Sequence, residues 1–95
     1  MTQRILIVDD ESAIREMTQM ALELAGFETV QAADGSQALV KIERESPDLV
    51  ILDWMMPGAN GFDVLREIRR HRPVPVIMLT ARGDDTDRIV GLELG

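Results

Sequence analysis

Asp9, Asp10 and Asp53 each stand at the end of an apolar run, Ile5-Leu6-Ile7-Val8 in one case and Leu49-Val50-Ile51-Leu52 in the other, and a third run, Val76-Ile77-Met78-Leu79, ends in Thr80-Ala81. Unbroken β-branched and leucine runs mark parallel strands buried on both faces, and such sheets bind ligands beyond the carboxyl ends of their strands. Three acids and a hydroxyl are thus aimed at one edge. Carboxylates brought together repel: at about 4 Å and an effective dielectric near 20, each pair costs about 4 kcal/mol before screening. Either one of them takes up a proton or a hard divalent cation binds, and an all-oxygen ligand set on an open strand edge suits magnesium. Asp10 and Glu11 taken singly have a plainer use, as negative charge at the start of a helix.

The acids meet only if the chain between them alternates strands with helices. After the first strand, Ile14, Met17, Ala21 and Leu24 recur three or four residues apart, which predicts an amphipathic helix with Ser12 as N-cap and Gly26 closing it in the left-handed region. Residues 27–32 read as a second strand, Asp34-Gly35 as a turn, and 36–45 as a helix buried through Ala38, Leu39 and Ile42 and stopped by Ser46-Pro47-Asp48. The loop Pro57-Gly58-Ala59-Asn60-Gly61 leads to a helix bearing Phe62, Leu65 and Ile68, which gives way at Pro73 and Pro75 to the fourth strand. A last helix is expected over about 84–94, closing at Gly95. Helix-length connections without hairpin turns require parallel strands, so the expected fold is α/β, a doubly wound sheet of flavodoxin-like order 2-1-3-4. In that order the first and third strands are neighbours, and Asp9 and Asp10 come beside Asp53.

A chain of 95 residues with 45% hydrophobic and 28% charged residues makes one globular domain. Its net charge of -7 argues against direct nucleic-acid binding by this piece and leaves room for basic partner surfaces. Cysteine is absent, which removes disulfides and thiolate zinc sites, and Met1-Thr2-Gln3-Arg4 before the first strand is too short for a signal peptide or a membrane span. A cytoplasmic location without membrane contact fits both. Arg66, Arg69, Arg70, His71 and Arg72 read as solvated cations at a helix C-terminus rather than as a phosphate-binding patch. Trp54 reads as a partly exposed wall of the site. Nucleotide-binding folds need glycines where this chain has Asp9-Asp10-Glu11.

Ile5 to Glu11, Leu49 to Gly58 and Val76 to Gly83, taken in order, resemble the receiver domain of two-component response regulators, most closely the OmpR/PhoB-like branch, whose fold is the CheY-like form of this sheet. The resemblance implies that Asp53 is the phosphoacceptor, that Asp10 and Asp53 ligate Mg2+ (or Mn2+) together with the Met55 backbone carbonyl, and that Asp9 holds the ion through water. Thr80 would be the switch hydroxyl and Ala81 would leave space for the phosphoryl oxygens. A histidine kinase would be the phosphodonor. An output domain, DNA-binding in that branch, would sit in a longer parent chain, and the Thr80 loop with the final helix would carry the signal. The family pattern continues beyond position 95 into a fifth strand and helix bearing a phosphate-pairing lysine and a switch aromatic; Lys41, the only lysine, lies on the second predicted helix and cannot take that role. For the chain as given, the expectations are therefore an exposed fourth strand, an uncovered sheet face, self-association through both, and impaired signalling. Two other readings are an inert or engineered receiver fragment and a magnesium-dependent phosphatase of the haloacid dehalogenase kind, which would need a second acid where Met55 stands.

Overall fold

Each apolar run becomes a strand in a computed structural model of the chain, which describes residues 2–53, 55–56, 59–71, 73–81 and 88–93, with side chains at 2–53, 61–70 and 73–78. The elements are β1 (Arg4–Val8), α1 (Ser12–Leu24), β2 (Glu28–Ala32), α2 (Gly35–Glu45), β3 (Leu49–Asp53), β4 (Met55–Met56), β5 (Ala59–Asn60), α3 (Gly61–His71), β6 (Val76–Ala81) and β7 (Arg88–Glu93). The four parallel strands β2, β1, β3 and β6 stand in the expected order 2-1-3-4, and β7 adds an antiparallel strand beside β6. Among the described residues, the short β4 and β5 pair with each other.

Strand pleating sends alternate side chains to opposite faces. Leu6, Val8, Val50, Leu52, Val76 and Met78 share one core with Ala38 and Ile42 of α2 and Val64, Leu65 and Ile68 of α3. Gly35 lets α2 approach α3 closely: a Cβ there would sit 3.0 Å from Val64 Cγ2. On the other face α1 packs against β1 and β2 and covers Ile5 and Ile7, whereas Leu49, Ile51 and Ile77 stay half-buried.

The helix ends obey their local chemistry. Gly26, at φ 99°, closes α1 as the spacing predicts, with Gly26 N–H donating to Glu23 O at 3.0 Å and Phe27 N–H to Leu22 O at 3.1 Å. The expected cap at Ser12 is not there: Ser12 is the first helical residue and Glu11 is the N-cap, with no side-chain cap bond. Asp34 caps α2 by accepting from Gln37 N–H at 2.8 Å, and Ser46 ends that helix at φ 47°.

Four other expectations are corrected. The final helix is instead the strand β7, because Ile89 and Val90 are β-branched, Gly91 is a poor helix former, and β6 offers an edge of backbone donors and acceptors that β7 satisfies from Val76↔Glu93 to Ala81↔Arg88. The fourth strand is therefore not an exposed edge. The α1 stripe is helical as expected but turned outward: Met17 is 65% and Leu24 86% exposed, and no α1 residue is buried. The helix faces the sheet through Arg15, Thr18, Gln19 and Leu22, with Arg15 and Gln19 bonded to Gln31 of β2. Phe62 of α3, expected inside, is 44% exposed, while Val64 takes a core place. Among the described residues no helix is long and apolar enough to cross a membrane.

Candidate functional site

Parallel pairing of β1 with β3 sets the register Val8↔Leu52, so the next residues, Asp9 just past β1 and Asp53 at the end of β3, lie at the same level of the sheet. Asp10 follows before α1 begins. One carboxylate oxygen from each of Asp9, Asp10 and Asp53 lies within 4.8 Å of the other two. Asp9 is nearly buried, Asp53 half-buried and Asp10 exposed, so the cluster opens to solvent on the Asp10 side.

Asp9 is anchored at three points. Its N–H donates to Ala32 O at 3.1 Å, its carbonyl accepts from Arg15 Nη1 at 2.7 Å, and its Oδ1 accepts from Glu11 N–H at 2.9 Å. Burial pushes the Asp9 carboxyl above the usual aspartate range; the Glu11 amide bond pulls it back, and the charges of Asp53, Asp10 and Glu11 push it further up. A hard cation suits this donor set, since it replaces the lost hydration of Asp9 and offsets the mutual repulsion of the three anions.

Thr80 and Ala81 are the last residues of β6, and the pairing Asp53↔Leu79 puts Thr80 one step past the end of β3. Their side chains lie outside the described residues, as do Trp54 and the side chain of Met55, whose backbone begins β4 two positions after Asp53. Lys41 lies on α2, as its helical position predicts.

The basic run on α3 divides. Arg66 pairs with Asp63 at 3.4 Å and Arg70 with Glu67 at 3.6 Å, both exposed, as solvated cations should be. Arg69 departs from that expectation: its Nε and Nη2 are shielded from solvent and have no hydrogen-bond partner among the described residues. His71 and Arg72 carry no described side chain.

Sequence reasoning missed Arg15 and Gln31. Arg15 Nε donates to Gln31 Oε1 at 2.9 Å, and Gln31 Nε2 donates to Gln19 Oε1. The available signal was the pair of long polar side chains at positions 15 and 19, four apart on the helix face opposite the apolar stripe.

A family model described as the response regulator receiver domain matches residues 5–95. The probable transcriptional regulator ycf27 of Galdieria sulphuraria is 52% identical over 93 residues, 98% of this chain and 36% of that protein. The phosphate regulon transcriptional regulatory protein PhoB of Escherichia coli is 46% identical over 98 residues, 100% of this chain and 43% of that protein. The chain thus spans about two fifths of the length of these relatives. The crystal structure of response regulator protein TrrA from Thermotoga maritima in complex with Mg2+-BeF is 43% identical, with a TM-score of 0.79 over 86% of this chain and 72% of that one.

Proposed function

Because the chain belongs to the response regulator receiver family, we propose that it is the phosphoacceptor switch of a cytoplasmic two-component system, in which Asp53 takes a phosphoryl group from a histidine kinase. The observation that carries this reading is the meeting of Asp9, Asp10 and Asp53 within 4.8 Å at the carboxyl ends of neighbouring strands. In the transfer, an Asp53 oxygen bonds to phosphorus as the phosphorus–nitrogen bond of a phosphohistidine breaks. This leaves an acyl phosphate on Asp53 and, after uptake of a solvent proton, a neutral imidazole on the kinase. Asp9, Asp10 and Asp53, with the Met55 carbonyl, would hold magnesium or manganese, which when bound supplies positive charge for the phosphoryl oxygens. Asp9 is kept in place for this by its amide and guanidinium contacts, and the open Asp10 side admits the donor.

The Thr80 hydroxyl then donates to a phosphoryl oxygen, and the small Ala81 leaves room for it. Thr80 and Ala81 pair with Ile89 and Arg88, so the movement passes into β7 rather than into the expected final helix. The two curated relatives are transcriptional regulators, which supports a DNA-binding output in a longer chain. Self-association, expected through the fourth-strand edge and the uncovered sheet face, keeps the sheet face, with half-buried Leu49, Ile51 and Ile77, while β7 covers the edge and the outward α1 stripe adds a second apolar surface. No external substrate is turned over, since Met55 leaves no general acid two residues past the nucleophile.

The test is incubation with magnesium and a small acyl phosphate followed by intact-mass measurement. A gain of one phosphoryl group, absent in Asp53→Ala, is the expected result. No gain would favour the inert fragment, and continuous phosphate release from many esters would favour the phosphatase.

A further inference from the structure

We infer that Arg15 is a positioning residue for the acidic cup, acting through the peptide that joins Asp9 to Asp10, an inference that rests on the phosphoacceptor reading. The carbonyl that Arg15 Nη1 holds at 2.7 Å is the oxygen of that peptide. A peptide unit is planar, so holding its oxygen restrains the positions of both flanking Cα atoms, from which the two carboxylates project. The two other anchors of Asp9 are backbone amides, from Glu11 and to Ala32; Arg15 supplies the one anchor that a side-chain substitution removes without altering the backbone. A guanidinium is a rigid planar fork. Its second arm, Nε to Gln31 Oε1 at 2.9 Å, sets the plane of the group, and Gln19 in turn orients Gln31. The relay runs from α1 through β2 to the end of β1, with polar groups placed on the inner face of α1 where an apolar stripe would ordinarily pack. Its outcome is a restrained base for two carboxylates that must converge on one ion.

The test compares wild type, Arg15→Met, Arg15→Lys and Gln31→Leu in the whole chain. It reads Mg2+ affinity by titration calorimetry, hydrogen exchange at the Glu11 amide in EDTA, and the unfolding midpoint in EDTA. Arg15→Met keeps the stem and loses the donors; its Mg2+ affinity should fall about tenfold, the scale found for groups that orient metal ligands, and its Glu11 amide should exchange faster. Arg15→Lys, which can still donate to the Asp9 carbonyl, should recover most of the affinity. Gln31→Leu should weaken binding in the same direction, and adding it to Arg15→Met should cost nothing further, because both act through one contact. Equal Mg2+ affinity in wild type and Arg15→Met, or a lowered unfolding midpoint with unchanged affinity and exchange, would overturn the inference by making Arg15 a simple tie between α1 and β2. If Arg15→Met does not fold, Gln31→Leu decides on the same readouts. Failure of the wild-type chain to bind Mg2+ would instead overturn the metal reading, and Arg15 would then be judged on Glu11 exchange alone.

Discussion

Asp9 and Asp53 lie side by side because the β1–β3 register places Val8 opposite Leu52, one residue short of each acid. The pair is thus a product of strand pairing, and any change that shifts β1 against β3 would separate them. Their closeness is unfavourable to an empty site and favourable to an occupied one, and this opposition makes the protein measurable.

The pH dependence of the metal-free chain follows from Asp9. Its carboxyl is raised, first by burial and then by neighbouring charge, so the folded state binds that proton more tightly than the unfolded state does. Stability from this group is full below the ordinary aspartate value of about 3.9 and is lost as pH rises through the raised folded value. Asp9→Asn carries no such titration. In EDTA, urea denaturation at stepped pH should show the stability of Asp9→Asn relative to wild type increasing from pH 4 toward neutrality. A difference that shrinks over this range would refute the assignment.

Arg69 offers a stability test remote from the site. Shielded Nε and Nη2, without partners among the described residues, carry the desolvation penalty of unmade bonds, about 1–3 kcal/mol. Arg69→Met keeps the length of the side chain and removes the unpaired donors, and should stabilise the chain by about 1 kcal/mol in urea. Destabilisation of similar size would mean that Arg69 has an anionic partner in solution.

Ser46 is a non-glycine residue at φ 47°, in a region that L-residues enter at a cost of about 1–2 kcal/mol. Ser46→Gly should therefore raise the thermal midpoint of α2 and β3 together. An unchanged or lower midpoint would show that a local contact of the serine outweighs the strain.

The outward stripe of α1 separates surface from core. Met17→Lys with Leu24→Lys should leave unfolding within about 0.5 kcal/mol, because both side chains are largely exposed. The same double substitution should reduce the sedimentation-derived association of the chain. Loss of several kcal/mol would instead place those residues in a packed core.

The sheet and its acids were legible because buried parallel strands read as unbroken runs, and runs that stop at aspartate point to an edge. Gly26 was legible as a helix stop for an equally local reason. Ser12 misled because an N-cap serine and a first-turn serine look alike until the backbone is seen. The α1 stripe has the right period, but period alone does not say which helix face meets the sheet; the polar contacts of Arg15 and Gln19 decided that. Residues 88–93 fall within the expected last helix, whereas Ile89, Val90 and Gly91 favour a strand once β6 offers an edge to pair with. Arg15 stayed hidden because its acceptor is a main-chain carbonyl, which no residue type announces.

Calorimetric titration of the chain with Mg2+, beside Asp9→Asn, Asp10→Asn and Asp53→Asn, tests the shared acidic cup most directly. One ion per chain is the expected stoichiometry, with binding weakened in every one of the three variants because each contributes an oxygen to the same cluster. Binding of undiminished strength in Asp53→Asn, or no binding by the wild-type chain, would contradict it.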